Sequence, residues 1–321
     1  MRPFRREKTT LKGFSAELEL APFYIALHEH ADPDAVGSAY AVSSAYRASG
    51  IWAPGGLDRR AKALVNALGM GLVNSVSGVE RLLVVDTPDT SQFSIEDIGR
   101  PEILLLDHHF VSSEADADVF YIDPAAPACS DIVFEMLEAG GKTIDGNQAI
   151  ALLAGILSDT GRLRRGDAGM LLRVSRLLDA SGMRIEEVLD RLEPARDLSE
   201  QTAVFKGLER MRHRNEGTFF LCWSEVSSYE STVASSMVAA GADVALVASD
   251  RKGQVRVAGR CSQRAVSAGL NMAAVFSGIS MEFKASSGGH TGAAVLEATG
   301  DPEALLNATV AACAAVLSQA R

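Results

Sequence analysis

The sequence predicts an α/β protein, with a parallel-sheet N-terminal domain flanked by helices and a smaller α/β C-terminal domain. Three observations predict it. Short apolar runs alternate with helical stretches through the first half, the pattern of parallel strands joined by crossover helices. Three of these runs end in an acid or an imidazole at the same end: Phe23–Leu27 leads into His28, Leu82–Val85 into Asp86, and Ile103–Leu106 into Asp107-His108-His109. In open α/β sheets, chemistry collects just beyond the carboxyl ends of such strands. At 321 residues the chain is also longer than a typical single domain.

Taken in order, residues 1–20 read as a loose start followed by a short helix. The strand Phe23–Leu27 runs into His28-Glu29-His30-Ala31-Asp32-Pro33-Asp34, where Pro33 and small residues favour a turn. A helix is expected over Ser38–Ala48, ended by Gly50. Gly55-Gly56 is a loop and Arg59–Leu68 an amphipathic helix. Leu82–Val85, Ile103–Leu106 and Val119–Ile122 are strands, read from continuous apolar character. Ser130–Ala139 is a helix, with Ser130 and Asp131 as start signals and Gly140-Gly141 as the stop. The apolar helix Gln148–Leu157 ends at Ser158-Asp159-Thr160-Gly161, followed by Arg162, Arg164 and Arg165. Ala168–Ala180 and Ile185–Leu192 are helices.

The first domain is expected over residues 1–190, a linker over 191–200, and the second domain over 201–321. The second domain begins with a helix, Ser199–Met211. Thr218–Trp223 is a strand and Ser231–Ala240 a helix. Val244–Ser249 and Gln254–Gly259 form a hairpin around Asp250-Arg251-Lys252-Gly253. A short helix, Asn271–Phe276, precedes a glycine-rich loop that ends in His290. Ala293–Ala298 is the last strand and Pro302–Ser318 the last helix.

Composition narrows the function. The content is 47% hydrophobic, as expected of a soluble protein with sizeable cores. No run approaches the roughly 20 apolar residues of a transmembrane span. Met1–Lys12 carries five basic residues and one acid with no apolar stretch after them, unlike a secretory signal. Cys129, Cys222, Cys261 and Cys313 lie far apart with no Cys-x-x-Cys, which argues against a disulfide framework or a thiolate zinc site. A reducing cytoplasm is the expected compartment. The net charge of −10 belongs to residues 1–199, with 20 basic against 30 acidic side chains, while residues 200–321 carry 11 of each. An acidic first half argues against tight nonspecific binding of long duplex nucleic acid, which needs a basic face. It suits a half that gathers carboxylates around divalent cations.

The candidate donors are His28, Asp32, Asp34, Asp86, Asp107, His108, His109 and Asp159. Oxygen and imidazole without thiolate suit manganese or magnesium, and imidazole alone would suit zinc. The set is large enough for two ions sharing a carboxylate, which would activate a water and clamp a phosphoryl group. Glu29 and His30 are expected on the outer side of their loop, and Asp89 and Asp123, each beside a proline, as turn residues.

Four segments in this order, His28-x-x-x-Asp32-x-Asp34-x-x-Gly37, the strand-end Asp86, Asp107-His108-His109 and Asp159-Thr160-Gly161, resemble the motifs of the DHH phosphoesterase superfamily. Gly288-Gly289-His290 resembles the mark of its DHH-associated C-terminal domain, so the resemblance covers about residues 20–315. The two-domain plan is similar to the short branch of nanoRNA-degrading and pAp-hydrolysing enzymes and compact RecJ-like exonucleases. The resemblance implies an active site in the cleft between the domains and two Mn2+ ions, with Mg2+ or Co2+ as substitutes. His28 and Asp32 would bind the first ion, Asp34, His108 and Asp159 the second, and Asp86 would bridge. Asp107 would orient an imidazole. His109 would face the scissile phosphate as ligand or proton donor, and a metal-activated water would be the nucleophile.

The same resemblance gives Arg260, Gly288, Gly289, His290 and Arg164 as substrate residues, with Ser130 a ligand contact or a helix cap. Arg251, Lys252, Arg256 and Arg264 are read as solvated hairpin surface. The chain departs from the family pattern at Ser287, Val295 and Leu163. The expected substrate is short single-stranded RNA or DNA, or a small nucleotide, with no membrane partner; the oligomeric state stays open, a homodimer among the options. A RecJ-like single-strand exonuclease, a cyclic-dinucleotide phosphodiesterase and a nucleotide phosphatase are alternatives, and a non-catalytic nucleotide-binding protein is a further one.

Overall fold

The computed structural model describes residues 6–76, 78–88, 90, 93, 101–109, 116–192 and 196–319. The chain divides into two compact units, Met1–Pro194 and Ala195–Arg321. Asp89 lies outside the described residues.

In the first unit, β1 (Glu7–Lys8), β2 (Tyr24–Leu27), β3 (Gly50–Trp52), β4 (Arg81–Val85), β5 (Glu102–Asp107) and β6 (Val119–Ile122) form one sheet. Its order is β1-β6-β5-β4-β2-β3 and every pairing is parallel. The central strands read as unbroken apolar runs because both their faces are covered. Ile25, Leu27, Leu83, Val85, Leu104 and Leu106 enter one core, while Ala26, Leu82, Val84, Ile103 and Leu105 enter the other. The short strands β1 and β3 are additions to the sequence reading, since two or three residues offer no period to detect.

The helices are α1 (Leu11–Leu20), α2 (Pro33–Tyr46), α3 (Arg59–Leu68), α4 (Cys129–Ala139), α5 (Gly146–Asp159), α6 (Ala168–Ser181) and α7 (Ile185–Leu192). One difference from the sequence reading changes the site. Helix α2 starts five residues before the expected Ser38, because Asp32 caps it and Pro33 takes its first turn. Proline there loses nothing, since its missing N–H would have had no intrahelical acceptor. Asp34 is therefore a first-turn helix residue rather than part of a turn. Asp58, Asp145 and Asp167 cap α3, α5 and α6 in the same way, so part of the acidity of the first half is helix capping.

The second unit contains α8 (Leu198–Glu209), β7 (Arg212–Glu216), β8 (Phe219–Glu225), α9 (Glu230–Ala239), β9 (Val244–Arg251), β10 (Gln254–Cys261), α10 (Gln263–Ser267), α11 (Met272–Phe283), β11 (Ser286–His290), β12 (Ala293–Thr299) and α12 (Pro302–Ser318). The expected linker is in part helical, because α7 ends at Leu192 and α8 begins at Leu198. The sheet order is β11-β12-β10-β9-β8-β7, antiparallel except for β8 with β9. Helix α11 continues past the expected Phe276 and its Gly278 to Phe283, where Lys284 closes it in the left-handed region. The glycine-rich segment expected as a loop is an edge strand, β11, in register with β12. Among the described residues, no helix is long and apolar enough to cross a membrane.

Candidate metal centre

The carboxyl ends of β2, β4 and β5 deliver His28, Asp86 and Asp107-His108-His109 to one place. Asp32 and Asp34 arrive from the first turn of α2 and Asp159 from the last residue of α5. The donor atoms fall into three overlapping triads, His28–Asp32–Asp86, Asp34–His108–Asp159 and Asp86–His108–His109, each with its atoms within 4.8 Å of one another. Asp86 belongs to two of them and reaches both sides. Its Oδ2 lies 3.7 Å from His28 Nε2, while its Oδ1 lies 3.3 Å from His108 Nε2 and 3.9 Å from His109 Nδ1. His108 Nε2 also stands 3.4 Å from Asp159 Oδ2 and 3.9 Å from Asp34 Oδ2.

Both inner imidazoles are turned by their neighbours. His28 Nδ1 lies 2.9 Å from the Glu29 carbonyl oxygen, and His108 Nδ1 lies 3.3 Å from that of Ala126. A carbonyl accepts only from N–H, so Nδ1 carries a proton in either charge state, and it is Nε2 that faces the carboxylates and would offer its lone pair to a metal ion. This is how metal-binding histidines are commonly oriented. His109 differs: its Nδ1 donates to Asp107 Oδ1 at 2.8 Å, and its ring is half exposed. Asp107 itself is fully buried.

The carboxylates are anchored as firmly. Asp32 Oδ1 accepts from the amides of Asp34 and Ala35, which leaves Oδ2 for the site. Asp34 is fully buried and accepts from the Cys129 and Ser130 amides. Asp86 sits at φ +61°. A left-handed aspartate costs of order 1–3 kcal/mol and persists where surrounding structure enforces it. Here the Asp86 amide donates to the Leu106 carbonyl on β5 at 3.0 Å.

A divalent cation fits these residues. Asp86 Oδ1, Asp107 Oδ2 and His108 Nε2 are buried with no hydrogen-bond partner among the described residues, and a buried polar atom left unpaired is costly. Two of the three point into the shared triads. The charges show the same strain. Burial, followed by repulsion from Asp86 and Asp159, pushes Asp32 up to about 6, and the same causes hold Asp34 well above its ordinary value. Burial alone would raise Asp86, but contacts with His108 and His28 pull it below. Burial disfavours charge on His28, yet Asp86 and the Glu29 carbonyl lift it to about 9. His108 rises to about 11 against its own burial, through Asp159 and Asp86. Protons on the imidazoles are compensating carboxylates that a metal ion would neutralise.

Several supporting groups escaped the sequence reading: the amides of Cys129 and Ser130, the carbonyls of Glu29 and Ala126, and Gly155, which acts together with Gly37 of the first motif. A Cβ on Gly155 would fall 2.5 Å from Asp34 Oδ1 and closer still to Ser130 Oγ, and one on Gly37 would overlap the Ala151 carbonyl. These glycines let α2, α4 and α5 meet around Asp34. An isolated glycine inside the apolar run 148–157 is a legible sign of close approach, whereas backbone amides have no sequence signature.

Ser130 requires correction as a ligand contact and as a cap. It is fully buried, it is the second residue of α4, and Ala128 occupies the cap position. Arg164 is exposed in the turn after α5, while the neighbouring Arg165 guanidinium donates to the Asp159 carbonyl. Glu29 and His30 are exposed, and Asp123 Oδ1 accepts from the Ala125 amide as a turn residue.

Arg260, the last residue but one of β10, is half-buried and paired with Ala245 and Ala293. Gly288, Gly289 and His290 are exposed on β11. Gly289 has φ +147°, and a Cβ on it would lie 2.5 Å from Ala294 Cα, so only glycine allows β11 to lie this close to β12. His290 Nδ1 accepts from the Gly292 amide.

A parallel sheet whose strand ends converge on carboxylates and imidazole nitrogens is suited to hold divalent cations and, through them, a phosphoryl group. A model of the DHH family, N-terminal domain, matches residues 22–156. The chain is 31% identical over 289 residues to an uncharacterised protein of Methanocaldococcus jannaschii, spanning 85% of this chain and 86% of that one. It is 30% identical over 198 residues to a probable manganese-dependent inorganic pyrophosphatase of Streptococcus agalactiae, spanning 55% of this chain and 61% of that one. In fold it is similar to an exopolyphosphatase-related protein from Bacteroides fragilis, with a TM-score of 0.73 at 15% identity over 94% of this chain and 95% of that one. The chain belongs to the DHH family and is a phosphoesterase. Its donor set fits manganese, the metal named for the streptococcal relative.

Proposed function

We propose that this protein is a two-metal, Mn2+-dependent phosphodiesterase that hydrolyses short oligonucleotides or related nucleotides, as nanoRNases and pAp phosphatases do. The observation that carries the reading is the shared Asp86, whose two oxygens face the two separate donor triads. His28, Asp32 and Asp86 would hold one ion, and Asp34, His108 and Asp159 the other, with Asp86 between. Bound divalent ions supply Lewis acidity and acidify a water for attack on phosphorus. The protein's own part is orientation. Asp107 accepts a hydrogen bond from His109 Nδ1 and leaves its Nε2 to meet the scissile phosphate as ligand or proton donor. Arg260, His290, Arg164 and the open backbone at Gly288 and Gly289 bind the substrate's phosphates. An acidic first unit and a charge-balanced second favour short substrates over long polymers.

The test compares dinucleotide RNA, pAp, cyclic dinucleotides, longer single-stranded DNA and inorganic pyrophosphate with Mn2+. Fastest turnover of dinucleotide RNA or pAp is expected, and activity confined to long DNA would overturn the reading. A second reading, hydrolysis of a phosphoanhydride such as pyrophosphate, is favoured by the similarity to the streptococcal protein. Turnover of pyrophosphate alone would select it.

A further inference from the structure

The geometry around Asp34 singles out two residues that bind no metal themselves. Asp34 Oδ2 accepts from the Cys129 amide at 2.7 Å and Oδ1 from the Ser130 amide at 2.8 Å. These are the first two amides of α4, and Ala128 before them offers no capping side chain. Asp34 thus caps α4 from 95 residues upstream. The leading amides of a helix lack intrahelical acceptors and carry the positive end of its dipole. They stabilise an ionised carboxylate where burial opposes one.

Ser130 and Gly155 close this cradle from two sides. Ser130 Oγ lies 3.4 Å from the Asp34 carbonyl oxygen and 3.2 Å from the Ser38 hydroxyl. Gly155, on α5, faces the carboxylate. Alanine is the better helix former by about 1 kcal/mol, so glycine here answers to space: a Cβ would lie 2.5 Å from Asp34 Oδ1 and 2.8 Å from Ser130 Cβ.

We propose that Ser130 and Gly155 are positioning residues for the second metal ion. They set the depth and rotation of the Asp34 carboxylate, so that Oδ2 stays directed at His108 Nε2, 3.9 Å away. The inference rests on the two-metal reading. It separates the two ions: the cradle touches the Asp34 carboxylate directly, whereas His28 is held by the Glu29 carbonyl and Asp32 by the backbone amides of Asp34 and Ala35.

The experiment measures Mn2+ binding to the full chain by paramagnetic resonance of the free ion, alongside thermal melts. Wild type should take up two ions. In Gly155→Ala the first ion should bind as before and the second about 10–100-fold more weakly, the usual cost of disturbing a group that orients a metal ligand. Ser130→Gly combined with Gly155→Ala removes Ser130 Oγ and Cβ from beneath the new methyl, so the melting temperature should recover. The second ion should stay weak, because the methyl still meets Asp34. Recovery of both in the double variant would make the role merely one of packing and overturn the proposal, as would wild-type binding by Gly155→Ala. Should Gly155→Ala fail to fold, Ser130→Ala keeps both amides and loses only the hydroxyl. It should weaken the second ion several-fold while lowering the melting temperature by no more than the loss of one buried hydrogen bond does, and unchanged binding would remove Ser130 from the role. A wild type that takes up fewer than two ions would instead overturn the two-metal reading itself.

Discussion

Asp34 and Asp107 of the first unit are fully buried, whereas β11 of the second is exposed along its whole length. The two units carry functional side chains under opposite constraints. Metal donors must meet within a few ångströms and stay there, so the first unit buries Asp34 and Asp86 and ties His28, Asp32, Asp34 and His108 to backbone groups. Residues proposed to read a substrate must remain open to it, so the second unit sets them on an edge strand and near the end of β10. A change in the first unit should therefore damage the chemistry, and one in the second should mainly damage binding or local stability.

The sharpest way to break this comparison is Asp86→Ala. It removes the carboxylate common to two triads, so kcat should fall on the order of 10³-fold, at the upper end of what losing one electrostatic group costs. Calorimetric titration should show weaker binding of both ions, and near-normal turnover would refute the shared role. Asp107→Asn should cost less, about 10–100-fold in kcat, by loosening His109. Uptake of two ions should persist, because Asp107 contacts His109 rather than the inner imidazoles.

Across the divide, Arg260→Ala should raise KM roughly 10–100-fold, the loss expected for a charge-assisted hydrogen bond. Steady-state kinetics should show kcat and Mn2+ binding little altered, and an unchanged KM would remove Arg260 from the substrate site. The smallest expected effect is that of Gly289→Ala. Forcing a side chain into a φ of +147° should destabilise the protein by about 1–3 kcal/mol, read as a lower melting temperature. A melting temperature equal to wild type would show that β11 adapts without cost.

The long elements were legible because their signals are local. Leu82–Val85 and Ile103–Leu106 announce central strands through unbroken apolar character, and α3, α7 and α12 follow the expected boundaries. The start of α2 was missed because Pro33 serves a turn and a helix N-terminus equally well, and the capping contacts of Asp32 chose the helix. β11 was missed because Ser286-Ser287-Gly288-Gly289 has no strand propensity of its own; its hydrogen bonds to β12 create it. The same divide separates site residues. His28, Asp86 and His108 stand at strand ends, where an acid or imidazole after an apolar run is visible, whereas Ser130 sits in a helix turn where capping, ligand contact and support look alike.

By itself, then, the sequence determined which side chains could do chemistry and which strands would carry them, because composition and short-range periodicity encode burial and element type. Only the tertiary structure decided what each side chain serves. It gave both oxygens of Asp34 to the end of a helix 95 residues away, turned His28 and His108 through the Glu29 and Ala126 carbonyls, and made Gly155 a matter of space. Those assignments depend on backbone atoms and on the approach of distant helices, which no run of residue letters contains.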